Sequence, residues 1–481
     1  MIFIVLLLGI VTGDVPVHCV FEDLVGDWQV WMDLDTFRVE LDDKRTFCDR
    51  SLPGKVINYS KNYKFEFSNF SKDLITFSLP NKAYSESLGE GTWTLVYDEG
   101  FILSFDEKVF NTFFFYYKNG DDYKSVCTRT TKGWYRGPDP KDHENWGCFY
   151  AEKVLPGRVE YSMHMNEGES FEGSRMSKSF LELGMNVKHS VQIPIQAGIV
   201  EPPKKKRKLA DPSYLSQTDH ASLIHYWSTP LSQIDGESLP SCWDWSNISS
   251  TSFISSSVRQ QHSCGSCYAI TTCEMLESRL KILTNNTYTD SLSVQYLISC
   301  SFYTEGCSGG YPTLLHKFIQ EFGIISEDCM PYTGSESKCS LQTCPKSKIF
   351  IKDYYYIGGF YGASNEVNIM KELRARGPVI IDLDPGTSFV YYKGGILKET
   401  SNDPTGRFEG LSLRDKMKDW ERVTHSVLLV GWGEENGEKY WKCLNSWGND
   451  WGEAGFFRIR RGTDEDCIES MAEAAVPVIV D

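Results

Sequence analysis

The segment "QQHSCGSCYAI", from Gln260 to Ile270, constrains the fold of this chain most strongly. Its second cysteine, Cys267, begins a stretch in which apolar residues fall broadly on one side of a helix, and a second helix is predicted from Tyr311 to Phe322. The last third of the chain contains strand-like runs such as "PVIIDL", "HSVLLVGWG", "KYWKCLNSWG" and "GFFRIRRG". A helical half followed by a β-rich half predicts an α+β domain.

The two cysteines of "CGSC", Cys264 and Cys267, are compatible with several kinds of site. A zinc site needs a second ligand pair at matching spacing, and only His262 is nearby. A redox pair would open a βαβ unit, and the sequence downstream lacks that pattern. A structural disulfide suits Cys264 better than Cys267, because Cys267 begins the helix. The macrodipole and free N–H groups at a helix N-terminus stabilise a thiolate, so Cys267 is a candidate nucleophile.

A thiolate nucleophile needs a basic partner and a group that orients this partner. His425 opens the apolar strand "HSVLLVGWG", where a histidine would be held rigidly as a general base. Asn445, in "NSWGNDWG", can accept the imidazole N–H, and Trp447 can shield that bond from water. Gln261 can donate its side-chain N–H to a developing oxyanion, together with the backbone N–H of Cys267.

The length of 481 residues predicts two or three domains. Residues 14–150 form a predicted all-β domain, because runs such as "TWTLVY", "FILSF" and "NTFFFYY" are separated by turn signals. Their spacing fits antiparallel strands in a barrel or sandwich. Residues 151–238 have few aromatic residues and are interpreted as a linker or a removable segment. Residues 239–481 form the α+β domain.

The N-terminus predicts a secretory route. The apolar run Ile2 to Val11 is too short to span a bilayer and fits a signal peptide of residues 1–13, cut before Asp14; a buried β-strand is the alternative. The 15 cysteines suit an oxidising compartment. Four N-glycosylation sequons begin at Asn58, Asn69, Asn247 and Asn285. We therefore expect a lysosomal, secretory-pathway or extracellular protein without a transmembrane segment.

The charge of the chain argues against a nucleic-acid partner. The formal net charge is -16, which would repel a phosphate backbone. One run, Lys204 to Lys208, has the opposite character and could be a nuclear localisation signal. In a secreted chain the same run is a solvated loop and a site for trypsin-like cleavage, which is the interpretation we favour.

Several blocks resemble the papain family of cysteine peptidases: "CGSCY", "GCSGGYP", "HSVLLVGWG" and "NSWGNDWGEAGFFRIRRG". Within this family, "LPSCWDWSN", "RIRRGTDEDCIESMA" and the N-terminal "DVPVHCVFEDLVGDW" and "NWGCF" resemble members that release dipeptides. The resemblance covers roughly residues 14–150 and 239–481. It implies a two-lobe catalytic domain, with a helical left lobe and a β-rich right lobe, preceded by an all-β, barrel-like exclusion domain.

The resemblance also implies the catalytic roles. A peptide carbonyl would be attacked to give a thioester, which water would hydrolyse. The implied roles are Cys267 as nucleophile, His425 as base and acid, Asn445 as the orienting residue, Gln261 as oxyanion donor, and Gly309 and Gly310 as contacts for the substrate backbone.

In the resembling enzymes the exclusion domain blocks the cleft beyond the second substrate residue. The N-terminal Asp of the mature protein, here Asp14, would pair with the free α-amine of the substrate. A chloride ion would bind the hydroxyl of Tyr356 and the backbone N–H of Thr313, and no metal is implied. From the sequence alone, Tyr356 is equally well interpreted as a core aromatic residue. The implied partners are peptide and protein N-termini as substrates and an activating protease that cuts within residues 400–421. A homotetramer is also implied.

The resemblance implies five disulfides. They are Cys19–Cys127, Cys48–Cys148, Cys264–Cys307, Cys300–Cys339 and Cys329–Cys344. These pairs leave Cys242, Cys267, Cys273, Cys443 and Cys467 outside a predicted disulfide, and nucleophilic catalysis requires this of Cys267.

Two other functions remain open on sequence grounds. An ordinary papain-like endopeptidase would need no contribution from Asp14 and would accept blocked N-termini. A catalytically silent binding protein on the same scaffold would be indicated by loss of the nucleophile, the base or the orienting residue. Cys267, His425 and Asn445 are all present.

Overall fold

The computed structural model describes residues 19, 21–37, 48, 59–97, 99–120, 122–137, 145–154, 239–248, 251–255, 257–339, 348–398 and 423–479. The predicted signal peptide, Asp14, Asn58 and Cys344 lie outside these residues. So do the processing region at 400–421 and all but the first four residues of the predicted linker.

The N-terminal domain is a closed antiparallel β-barrel. Its elements are α1 (Phe21–Leu24), β1 (Gly26–Asp33), β2 (Phe70–Ser78), β3 (Lys82–Ser85), β4 (Gly89–Val96), β5 (Gly100–Phe105), β6 (Val109–Asn119), β7 (Asp122–Thr130), β8 (Gly133–Arg136) and β9 (Trp146–Lys153). Within the described residues, eight strands close a ring, because β1 pairs with both β2 and β9, and β8 joins β6 to β9. Strand β7 pairs with β6 and β9 beside this ring. The predicted barrel is confirmed.

The barrel interior is aromatic, because strand residues alternate between its two faces. Along β1, Trp28, Val30 and Met32 are buried, and the residues between them are more exposed. The Trp28 ring meets the rings of Phe77 and Phe101 edge-on, with centroids 6.2 Å apart in both cases. This core accounts for the aromatic runs in the sequence.

The C-terminal domain combines helices with a second sheet. Its helices are α2 (Cys267–Leu283), α3 (Val294–Cys300), α4 (Pro312–Phe322), α5 (Glu366–Arg376) and α6 (Thr387–Val390). Its strands are β10 (Trp243–Asp244), β11 (Ile349–Tyr356), β12 (Val379–Leu383), β13 (Ile396–Leu397), β14 (His425–Glu435), β15 (Glu438–Leu444), β16 (Phe456–Arg460) and β17 (Ala472–Ile479). The sheet order is β11-β17-β12-β14-β15-β16-β13, with β10 beside β14. The predicted α+β architecture is confirmed.

Helix α2 differs from the one-sided helix that its apolar spacing predicts. It packs against α4, α3 and the sheet, so nearly all its side chains are buried. Among them is Arg279, whose guanidinium forms an ion pair with Glu372 of α5 at 2.9 Å, both side chains being fully buried. Helix α5 was not predicted from the sequence, because the charged residues of this helix obscure its apolar pattern. None of the described helices has the length and apolar character needed to cross a membrane.

The barrel docks on the helical lobe through a buried polar contact. Arg136, at the end of β8, forms an ion pair with Glu321 of α4 at 2.7 Å. Glu321 also accepts hydrogen bonds from Lys317 and Tyr303, each at 2.7 Å. Burial acts to raise the pKa of Glu321, but Lys317 and Arg136 lower it below its usual value.

The structure contains four of the five predicted disulfides: Cys19–Cys127, Cys48–Cys148, Cys264–Cys307 and Cys300–Cys339. The proposed partner of Cys329, Cys344, lies outside the described residues. Cys267 carries a thiol, as do Cys242, Cys273 and Cys443. The pair Cys264–Cys307 ties the segment before the candidate nucleophile to the turn before Gly309.

Candidate active site

Cys267 is the first residue of α2, and its side chain is half-buried. The preceding Ser266 makes no side-chain cap, so N–H groups of the first turn remain available to an anion. Burial raises the pKa of the Cys267 thiol to about 11, whereas the backbone N–H groups of Ser426 and Tyr268 act to lower it. Thiolate formation here therefore depends on an adjacent group that takes the proton.

His425 is the candidate for such a group. It is the first residue of β14, and its Nε2 lies 2.7 Å from Oδ1 of Asn445. The same Oδ1 accepts the backbone N–H of Ser446 at 2.8 Å, which fixes the amide orientation. With Nε2 donating to Asn445, Nδ1 is the nitrogen that can accept a proton. Burial lowers the pKa of His425 to about 4, and the bond to Asn445 acts to raise it.

The backbone N–H of Ser426, the residue after His425, acts to lower the pKa of the Cys267 thiol, so Cys267 lies beside the start of the strand that carries His425. The Trp447 ring covers His425, with centroids 5.1 Å apart at 36°. This position matches the predicted shielding of the bond between His425 and Asn445. In the low-dielectric surroundings of that bond, the hydrogen bond is stronger than in water.

Gln261 lies beside the same residues. Its Nε2 donates to the Cys264 carbonyl at 3.2 Å, and its Oε1 accepts from the Ser446 hydroxyl at 2.7 Å. The Cys264 carbonyl can only accept, so it fixes which end of the amide carries the N–H groups, and one hydrogen on Nε2 remains beyond this bond. Sequence reasoning missed Ser446 as a positioning residue, although its place next to Asn445 was a usable signal.

Gly309 and Gly310 lie beside the helix that carries Cys267. Gly309 has φ of +127°, a conformation that favours glycine. A Cβ on Gly310 would lie 2.7 Å from both the Tyr268 ring and Thr304. The backbone at Gly310 therefore passes close to Tyr268, the residue after Cys267. A substrate backbone can run beside this segment.

The barrel reaches this part of the protease domain through Tyr97, which has φ of +50°. Its ring packs on Tyr311, one residue after Gly310, with centroids 4.3 Å apart. Its hydroxyl donates to the Asp382 carboxylate, which also accepts from the Ser426 hydroxyl. Sequence reasoning missed both Tyr97 and Asp382, because they lie far apart in sequence and in different domains.

The residues implied for chloride lie in the core behind these contacts. Tyr356 and Thr313 are both buried, and the phenol oxygen of Tyr356 makes no hydrogen bond of normal geometry within the described part of the chain. Burial and the neighbouring Glu473 raise the pKa of Tyr356 well above its usual value, with a further contribution from Asp382. A phenol donor suits an anion, but two carboxyl groups nearby do not. Burial raises the pKa of Asp382 to about 7 and that of Glu473 to about 8, so above this pH range both are ionised and the residues present do not fit chloride.

The sequons that the structure describes are compatible with a glycan. Asn69 and Asn247 are exposed, and Asn285 is partly exposed. Glycosylation at these positions and at Asn58 stays a prediction.

Comparison with known proteins identifies both domains. Residues 239–476 match the family described as "Papain family cysteine protease", and residues 14–153 match "Cathepsin C exclusion domain". The chain is 29% identical to "Cathepsin C" of Schistosoma mansoni, over 97% of this chain and 96% of that protein. It is 22% identical to "Dipeptidyl aminopeptidase 1" of Plasmodium falciparum (isolate 3D7), over 96% of this chain and 93% of that protein.

A further relative matches the C-terminal domain. The "Gut-specific cysteine proteinase" of Caenorhabditis elegans is 31% identical, over 49% of this chain and 73% of that protein. Together with the geometry of Cys267, His425 and Asn445, these similarities show that the chain belongs to the papain family of cysteine proteases and carries a cathepsin C exclusion domain before its protease domain.

Proposed function

We propose that this protease removes dipeptides from the free N-termini of peptides and proteins. The observation that carries the proposal is the contact of Tyr97 with Tyr311, next to Gly310. Through this contact the barrel occupies the protease surface at one side of the cleft. A barrel at this position would stop an extended substrate after a short N-terminal segment, whereas an endopeptidase needs a cleft that is open at both ends.

In the proposed mechanism, His425 takes the proton of Cys267, and the thiolate sulfur bonds to the peptide carbonyl carbon. The oxyanion accepts hydrogen bonds from the Cys267 backbone N–H and from Gln261 Nε2. The carbon–nitrogen bond then breaks as His425 returns the proton to the leaving amine, which leaves a thioester. Water, deprotonated by His425, attacks this thioester and releases the dipeptide and the thiol.

The proposal assigns Asp14 to the substrate's α-ammonium group. A carboxylate in a half-buried cleft would form a charge-assisted pair with this group, and a blocked N-terminus would lack it. It also requires that residues 1–13 are removed as a signal peptide, so that Asp14 becomes the mature N-terminus.

The test compares a fluorogenic dipeptide amide having a free α-amine with the same reporter acetylated there. Rapid cleavage of the free form and almost none of the acetylated form is expected. Equal cleavage would replace this proposal with an endopeptidase. No cleavage of either, with Cys267 still reactive toward iodoacetamide, would indicate a binding protein on a protease scaffold. The Asp14→Asn variant should lose most activity toward the free form, and the Asp106→Asn variant, in the barrel, should not.

The proposal extends to maturation. We propose that the protein follows the secretory route to the lysosome or cell exterior, that residues 151–238 are removed, and that an activating protease cuts within residues 400–421. We also propose a homotetramer. N-terminal sequencing and light scattering of the mature secreted protein would test these points.

A further inference from the structure

Two buried carboxyl groups lie beside the catalytic residues and have no role in the proposed mechanism. Asp382 is on β12, and Glu473 is on β17, directly opposite Ile380 in the sheet. Because side chains two residues apart share a face of a strand, Ile380 and Asp382 point the same way. The Tyr97 hydroxyl connects the two acids: it donates to Asp382 and lies 3.5 Å from Oε1 of Glu473. We name Asp382, Glu473 and Tyr97 the acidic cluster.

The acidic cluster lies between the two segments that flank the cleft. On one side, Asp382 accepts the hydroxyl of Ser426, the residue after His425. On the other side, Tyr97 packs against Tyr311, the residue after Gly310. The charge of Asp382 also acts on Cys267, where it raises the pKa of the thiol. The cluster thus lies where the barrel meets the segments that carry His425 and Gly310.

Cations are missing from the acidic cluster. Within the described residues, no lysine or arginine forms an ion pair with Asp382 or Glu473, whereas the fully buried acids Glu321 and Glu372 each have two cationic partners. Burial accordingly raises the pKa of Asp382 to about 7 and that of Glu473 to about 8. A buried acid without a counter-charge is destabilising, and a bound cation would relieve this.

Two further polar side chains around the acidic cluster lack partners. His316 is fully buried on α4, with Nδ1 3.5 Å from Oε2 of Glu473, and neither ring nitrogen forms a hydrogen bond within the described part of the chain. Burial and Arg279 lower the pKa of His316 to about 3, so it supplies no positive charge. The phenol oxygen of Tyr356 makes no hydrogen bond of normal geometry with a described residue, although the Thr313 side chain lies close enough to lower its pKa. Unsatisfied buried groups are rare in folded proteins, and a polar ligand beside two unpaired acids would account for them here.

We propose that the acidic cluster is a specificity pocket for a cationic side chain, lysine or arginine, on the N-terminal residue of the substrate, and that it does not bind chloride. The inference rests on the proposed function: if the barrel ends the cleft, the substrate residue beside Tyr97 is the N-terminal one. An ammonium or guanidinium group supplies donors to both carboxylates and to His316, and its charge neutralises the acids.

The experiment uses the mature protein and two reporters with free α-amines that differ in the N-terminal residue, lysine or norleucine. Their unbranched side chains are similar in length and differ in charge. We expect a lysine preference in kcat/KM of about tenfold to hundredfold, as for a charge-assisted hydrogen bond. The variants Glu473→Gln and Asp382→Asn preserve shape, and each should remove most of this preference, measured as the ratio of kcat/KM for the two reporters. Glu434→Gln, an exposed position on β14, is the matched control and should retain it.

Other outcomes would overturn the proposal. Equal cleavage of both reporters by the wild type would overturn the specificity pocket while leaving the proposed release of N-terminal dipeptides intact. Equal loss of both reporters in the variants would instead mean that the acids bind the α-ammonium group. Severalfold activation of the norleucine reporter on replacing sulfate by chloride, lost in Tyr356→Phe, would establish the anion site.

Binding is also measured without turnover, so the test does not depend on cleavage. The free dipeptides lysyl-alanine and norleucyl-alanine compete with iodoacetamide for Cys267. The lysyl dipeptide should protect the thiol at a concentration about tenfold lower or less. Equal protection, or failure of Glu473→Gln to change the ratio, would contradict the pocket even if neither reporter is cleaved.

Discussion

Arg136 of the barrel and Glu321 of helix α4 form a buried ion pair, with 2.7 Å between Nη2 and Oε1. Both side chains are almost completely removed from solvent, so the pair orders the contact between the two domains. Glu321 has further donors in Lys317 and Tyr303, but Arg136 is the partner that the barrel contributes.

Replacing Arg136 by methionine should weaken this contact. The substitution leaves a buried carboxylate with less counter-charge, which costs about 3–5 kcal/mol. We expect a lower urea midpoint and earlier proteolysis between the domains. Lys118→Met, at an exposed site in the barrel, is the control. An unchanged midpoint for Arg136→Met would mean that the pair does not hold the domains together.

The Asn445→Ala variant should lose catalysis without losing the fold. Alanine removes the acceptor that lies 2.7 Å from His425 Nε2, so the imidazole tautomer is no longer fixed. We expect kcat to fall about 10²-fold with little change in KM. Unfolding curves provide the structural control. A change in KM alone would show that Asn445 acts in binding.

His425 should determine the pH at which Cys267 reacts. An unassisted Cys267 has a pKa raised by burial to about 11, so the His425→Ala variant should be alkylated by iodoacetamide only at strongly alkaline pH. The wild type should react near neutral pH, because an imidazolium beside the thiolate forms an ion pair, and this pairing offsets the burial that by itself lowers the pKa of His425 to about 4. The measurement requires a Cys242→Ser background, since Cys242 is exposed. Identical pH profiles in both proteins would refute the partnership.

The acidic cluster should make the protein less stable as the pH rises. Asp382 and Glu473 have folded-state pKa values of about 7 and about 8. In the unfolded chain, these groups ionise near pH 4. Between about pH 4 and pH 8 the unfolded state therefore releases protons that the folded state retains, and the stability contribution is lost as pH rises through the folded pKa values.

Urea unfolding at pH 5 and pH 8 tests this sign. The wild type should lose about 2–4 kcal/mol more than Asp382→Asn or Glu473→Gln over this interval. The Glu434→Gln variant should behave as the wild type does. A wild type that gains stability relative to the variants would show that the carboxyls are ionised at low pH.

The candidate catalytic residues could be predicted from sequence because each lies at the end of a regular element. Cys267 begins α2, His425 begins β14, and Asn445 follows β15. Local pattern identifies such ends, and the shared chemistry of thiol, imidazole and amide suggests that they meet. The all-β character of the N-terminal domain was predictable from local signals too, because apolar runs alternate there with turn residues.

The acidic cluster could not be predicted in this way. Asp382 lies in the apolar strand "VIIDL", where one acid has no evident partner. Glu473 is on another strand, and Tyr97 belongs to another domain. Their proximity depends on sheet order and on domain docking, which no local pattern specifies. Helix α2 was incompletely predicted for a related reason: its polar side chains face buried partners rather than water.

Tyr97 makes the barrel part of a surface that the protease domain alone does not possess. Its hydroxyl contacts Asp382, and its ring covers Tyr311, so one wall of the substrate region comes from a chain segment with a separate fold. Selectivity in such an enzyme can change during evolution by mutation in a domain that performs no chemistry. Exchanging barrels between relatives would then replace the wall that contains Tyr97, while Asp382, Glu473 and the catalytic residues stay the same.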